Sequence, residues 1–284
     1  MGLAYHNYEN SYGAFPPSRV DSQAGRTAYG NSDRNGFVFL LPYVEQDSLA
    51  KMYVAPTTLG TKPRRSWDHS VNVPVSSTQV PVFLCPSVPN AGRTITWKSS
   101  DSATDSGTPN VAFEAAPADY GIMNQVAEKL RPVIGGDWPD GSQWGILQPN
   151  VPVRISQISD GTSNTFLIVE DAGRPQAWTR YGLEQPAYNG VTGAAWADVE
   201  AGFGMDGMVI DPATQARTSP CKTLDGCMVV NGSNRNEVYS FHRGGANILF
   251  GDGSVRFFKE GIAVGVVAAT LTRARGEVVS NADF

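Results

Sequence analysis

The 284-residue sequence predicts a mixed α+β domain. Three observations predict it. A helical stripe opens the chain, and β-forming runs punctuated by Asp-Gly and Gly-Gly turns fill its last quarter. Gly (30) and Pro (19) are also frequent enough to favour short strands joined by many turns over long helices.

In chain order, Ala4, Tyr8 and Tyr12 at i, i+4 and i+8 predict a helix over 3–12, ended by Gly13 and Pro16-Pro17. Residues 37–53 give an apolar run, a proline and an amphipathic turn or two, which predicts a second helix over 43–53. The polar stretch 56–80 reads as loop. Val80–Cys85 reads as a short strand stopped by Pro86, and the Ser/Asp/Thr-rich 98–110 as a surface loop. Ala118–Met123 is a candidate buried strand. Thr165–Glu170 is a clear one, preceded by the turn Asp160-Gly161. Residues 173–220 lack strong periodicity and read as a long insertion with small hairpins of its own. A three-stranded meander follows (237–241, 246–250, 254–258), then a helix within 261–271.

The composition is 41% hydrophobic and 17% charged, enough apolar matter for a real core under a thinly charged surface. A net charge of -5 gives no bulk attraction to nucleic acid or anionic membranes. Lys62, Arg64 and Arg65 form the one cationic cluster, read as a solvated loop. No segment approaches the ~20 apolar residues of a membrane-spanning helix, and no signal peptide opens the chain.

The motifs of common enzyme classes are absent: no Gly-x-Ser-x-Gly elbow, no phosphate loop, no His-Glu-x-x-His. With only His6, His69 and His242, a His-rich metal site cannot be built. His242 and Asp252 both flank glycine turns but sit at opposite ends of one strand, roughly 20 Å apart, so each reads as organising its own turn. Glu170 and Asp171 follow a strand, where catalytic carboxylates often stand. Adjacent strand residues point to opposite faces, so hydrolysis needs a partner such as Asp119 or Asp206. Asp160 and Asp206, each before a glycine, are candidate calcium ligands, and no other cofactor is indicated. Trp178, Trp196, Tyr181 and Tyr188 are candidates for a sugar-stacking surface. Cys221 and Cys227 enclose a turn-prone stretch that can close a small disulfide loop, or remain as free thiols in a reducing compartment. Cys85 is the odd cysteine, which leaves a lost partner, an intermolecular bond or a buried free thiol.

The run Tyr239-Ser-Phe-His242-Arg-Gly244-Gly245-Ala-Asn-Ile-Leu-Phe-Gly-Asp252-Gly253 resembles the H-x9-DG signature of the planctomycete DUF1559 family, also described as PulG-like. His6–Pro17, Leu41-Pro-Tyr-Val-Glu-Gln46, Phe83–Ser87, Asp119-Tyr-Gly121, Asp160–Thr165 and Thr272–Val278 match in the same order. The resemblance implies a prepilin-like protein: a leader, an apolar helix and a pilin-like head. It implies one domain over 1–284, with 1–15 as the tail of a helix whose apolar part is missing here. Residues 173–220 are then a variable insertion, and 237–258 a meander carrying the motif residues His242, Gly244, Gly245, Asp252 and Gly253. Members often carry a cysteine in that helix, which accounts for an unpaired Cys85, and the match at Cys221 and Cys227 supports the local disulfide. The implied location is the cell envelope or cell exterior. The implied partners are pilin-like subunits or a secretion apparatus, with the membrane reached only through the missing helix. The expectation is a structural or surface-recognition subunit without a chemical step. A glycan-binding module and a carboxylate-dependent hydrolase stand as alternatives.

Overall fold

The computed structural model describes residues 1–21, 33–54, 66–90, 92–98, 111–184, 190–277 and 279. Its centre is a five-stranded sheet made of β1 (Tyr120–Val126), β2 (Phe166–Glu170), β3 (Gly202–Met205), β4 (Gly245–Phe250) and β5 (Val255–Lys259), in the order β5-β4-β2-β1-β3. All neighbours are antiparallel except β1 and β3, which run parallel. β2 is buried along its whole length because it is central and covered on both faces.

Helix α1 (Gly2–Tyr12) covers one face and α3 (Val264–Leu271) the other, with α2 (Asp47–Met52) between them in sequence. α1 buries Ala4, Tyr5 and Tyr8, with Leu167 and Ile168 of β2 in the same apolar cluster. Tyr12, expected on that stripe, is 68% exposed, and Tyr5 takes the inward position. α1 ends where the sequence indicates. Gly13 is left-handed (φ 72°) and its N–H bonds Glu9 O at 2.7 Å. On the other face, Val264, Val267, Ala268 and Leu271 pack with Ala246, Ile248 and Phe250 of β4. The fold is therefore α+β with a mixed sheet.

Several expectations change. Residues 80–85 form a 3₁₀ turn (Pro81–Phe83) rather than a strand, because Pro81 has no N–H for a ladder. The apolar run before the second helix is also 3₁₀ (Gly36–Val44), and Glu45 turns left-handed before α2 begins. The meander has only two of its three strands. Residues 237–241 make isolated bridges, Val230 with Val238 and Asp171 with Tyr239, and β2 is the second neighbour of β4. Within 173–220 the hairpin Trp178–Thr179/Gly182–Leu183 and the pair Val209–Ile210/Arg217–Thr218 are present, while β3 joins the main sheet. Part of the polar 56–80 stretch is helical (Val73–Ser76), residues 55–65 lie outside the described residues, and so does most of the expected loop 98–110.

Candidate functional site

Three side chains from distant parts of the chain meet at the α1 side of the sheet: Cys85, Glu170 and His242. Glu170 ends β2. Cys85 follows the 3₁₀ turn Pro81–Phe83, and His242 stands in the turn that leads into β4. Tyr239 N–H bonds Glu170 O at 2.8 Å and Ala172 N–H bonds Tyr239 O at 3.0 Å, so the segment approaching β4 is laced to the end of β2. That lacing delivers His242 to Glu170.

His242 Nε2 lies 3.0 Å from Glu170 Oε1 and 3.8 Å from Cys85 Sγ, and Sγ lies 3.8 Å from Glu170 Oε1. Cys85 and Glu170 are each 2% exposed as residues, and the imidazole is 31% exposed. A nucleophilic cysteine needs its thiol on one ring nitrogen and the orienting acid on the other. Here thiol and carboxylate both approach Nε2, so the three groups converge on a point rather than forming a relay.

Each of the three is held from behind. Asn247 N–H donates to Glu170 Oε2 at 2.6 Å, and His242 N–H donates to Ser240 Oγ at 3.1 Å. Asp119 Oδ2 accepts the Cys85 N–H at 2.9 Å, while Oδ1 accepts the Gly173 N–H and pairs with the buried Arg93. Burial pushes the Cys85 thiol up, Ser87 partly offsets this, and the charges of Glu170 and Asp119 add to the rise. Burial also raises Tyr120, reinforced by Cys85, Glu170 and Asp119. Tyr120 lines, with Met1, Gly2, Leu3, Pro86 and Val255, an open groove of about 460 Å³ beside the cluster.

The motif residues divide between this site and the hairpin beyond it. The expectation that His242 serves its own turn is corrected, since its ring faces Glu170 and Cys85. Asp252 does brace its turn: Oδ1 accepts the Ser254 N–H at 2.9 Å and its hydroxyl at 2.6 Å. Gly253 is left-handed (φ 86°) and packs under α1, where a Cβ on Gly2 would lie 3.3 Å from Gly253 Cα. Gly244 is left-handed (φ 85°), and a Cβ on Gly245 would fall 2.0 Å from Phe258 O.

The other candidates disperse. Asp171 turns away from Glu170 and forms a fully buried ion pair with Arg174 at 3.0 Å. Both oxygens of Asp160 accept backbone N–H groups, of Arg275 and Gly276. Asp206 lies beside Glu237, whose Oε1 accepts the Asp206 N–H at 2.7 Å. Among the described residues neither Asp160 nor Asp206 joins a group of three metal-capable side chains. Trp196, proposed as a stacking platform, is instead wholly buried, its Nε1 bonded to Thr78 O at 3.0 Å. Trp178 is half-buried, edge-on to Phe241, and Tyr181 is 44% exposed. Tyr188 lies outside the described residues. Cys221 and Cys227 form a disulfide, and Cys85 is a buried free thiol.

No helix among the described residues is long and apolar enough to cross a membrane. No curated protein and no solved structure matches the chain. The profile of one family, described as a protein of unknown function (DUF1559), matches residues 1–265. That match spans nearly the whole sequence, and the chain belongs to the DUF1559 family.

Proposed function

We propose that the chain is an exported, pilin-like structural or surface-recognition subunit that carries out no chemical step. The observation that carries this reading is the packing of α1. An N-terminal helix packs with the Gly36–Val44 turn over one face of the largely antiparallel sheet, Ala4, Tyr5 and Tyr8 inward, which supports a pilin-like head seated on its helix. The disulfide Cys221–Cys227 supports export, because such bonds persist in oxidising compartments. The test is fractionation and chemical cross-linking of the natural protein in its own cells. The expected result is an oxidised protein in the envelope or outside the cell, cross-linked to copies of itself or to other pilin-like subunits. A cytosolic protein with reduced Cys221 and Cys227 would overturn the reading.

A second reading, glycan binding, is favoured by one groove. Tyr8, Tyr12, Phe39 and Tyr43 line a cavity of about 820 Å³, with the Tyr8 and Tyr12 rings 4.5 Å apart. The exposed Tyr12 and the half-buried Phe39 and Tyr43 offer aromatic surface there that suits the apolar faces of sugars. A melting-temperature rise with one class of polysaccharide fragment, abolished in Tyr12→Ala, supports this reading. No rise with any class removes it.

A further inference from the structure

We propose that Cys85, Glu170 and His242 form a binding site for one divalent transition-metal ion of the zinc class, with a fourth coordination position open to the groove beside α1. The donor set argues for this class of ion. Thiolate, imidazole and carboxylate are the three side-chain ligands that zinc takes, whereas calcium and magnesium take oxygen alone.

The geometry fits the ion. Bond lengths of about 2.3 Å to sulfur and about 2.0 Å to nitrogen and oxygen, at tetrahedral angles, separate sulfur from either partner by about 3.6 Å and nitrogen from oxygen by about 3.3 Å. The corresponding separations here are 3.8, 3.8 and 3.0 Å. The two sulfur edges need to close by about 0.2 Å and the nitrogen–oxygen edge to open by about 0.3 Å to accept the ion. On binding, the thiol proton leaves to solvent and sulfur binds as thiolate.

Part of the supporting shell of a metal site is in place. Ligand carboxylates and imidazoles in such sites are oriented by further hydrogen bonds. Asn247 N–H fixes the second oxygen of Glu170, Asp119 fixes the backbone of Cys85, and Ser240 fixes that of His242. Three protein ligands leave the fourth tetrahedral position vacant, as in sites that bind water or an external donor. The groove lined by Tyr120, Met1 and Leu3 is where that ligand would sit. The site does not rest on the pilin-like reading.

The test is titration of the purified, metal-free protein with Co²⁺, whose thiolate bond gives a near-ultraviolet charge-transfer band and whose tetrahedral sites give intense visible bands. The expected result is both signals saturating at one ion per chain and bleached by Zn²⁺. Cys85→Ser should remove the charge-transfer band. His242→Ala, at a partly exposed side chain, should weaken affinity at least about tenfold, with circular dichroism and melting temperature close to the parent's. If Cys85→Ser does not fold, His242→Ala and Glu170→Gln carry the test through the same affinity readout. A folded parent without the thiolate band, or variants that bind Co²⁺ as tightly as the parent, would overturn the proposal.

Discussion

Asp119 ties three segments together through one carboxylate. It accepts the Cys85 and Gly173 amides and neutralises Arg93, which in turn donates from Nε to Arg174 O at 2.6 Å. Asp119 and Arg93 are both buried, so removing the acid leaves an uncompensated guanidinium. Asp119→Ala should cost about 3–5 kcal/mol in urea unfolding. A loss below about 1 kcal/mol would show that water or another acid replaces it. Asp198 sets a pH dependence. Burial lifts its carboxyl to about 6, the Glu200 charge adds to this, and the Glu200 and Gly193 amides oppose it. The folded chain thus holds this proton more tightly than the unfolded one, whose Asp ionises near pH 3.9. The stabilisation is complete below about pH 4 and lost as pH rises through about 6, by an amount on the order of 2–3 kcal/mol. Melting curves from pH 4 to 7 should show that fall, and Asp198→Asn should remove its share, leaving that of Asp171, whose carboxyl burial lifts to about 7 against the opposing charge of Arg174. The sequence marked Asp119 as a hydrolytic partner and within the family-matching stretch Asp119-Tyr-Gly121, and neither reading indicates these bonds. Its actual bonds reach 34 and 54 residues away in the chain, and no local pattern encodes them.

The β4–β5 hairpin shows how two adjacent glycines serve different ends. Gly244 has φ 85° and open space around its missing side chain, so Gly244→Ala should cost only the left-handed penalty, about 1–2 kcal/mol. Gly245 has ordinary φ but faces Phe258 O, and Gly245→Ala must push apart two paired strands, at about 3 kcal/mol or more. Equal losses in a denaturant series would contradict this assignment. At this scale α1, α3, β2 and the β4–β5 hairpin were legible, because each carries its own period, stop signal or turn. The strand expected at 237–241 was not. Its alternation belongs to a segment held by isolated bridges, and the place expected for it beside β4 is taken by β2, whose Val169 pairs with Ile248. Residues 80–85 misled because an apolar run reads alike in a strand and in a 3₁₀ turn until Pro81 is weighed.

Across the whole molecule, one sheet serves two apolar clusters, α1 and the Gly36–Val44 turn on one side, α3 and the disulfide region on the other. β2 is central and wholly buried, whereas β5 lies at an edge with Val255 62% exposed and Phe257 42% exposed. Native-state hydrogen exchange should therefore be slowest in β2 and its partner β4, and faster at the outward-facing amides of β5. Comparable rates in β2 and β5 would mean that the sheet opens as one unit. The metal-capable cluster sits where this core meets the groove at the start of α1. Ion binding there would be expected to slow exchange first at Cys85 and at the end of β2.

The α+β class, the start and stop of α1, the turns around Asp252 and Gly253, and the family to which the chain belongs were all legible in the amino-acid order. These depend on residues close together in the chain or on an ordered set of short motifs. The meeting of Cys85, Glu170 and His242 is set by the packed chain and not by any local pattern. They lie 85 and 72 residues apart and occur in three unrelated local contexts. The pairing of β2 with β4, the bridge from Asp171 to Tyr239 and the Asp119 carboxylate together bring them within 4.8 Å. Each of those links is a long-range contact whose partner is chosen by packing and not by sequence spacing.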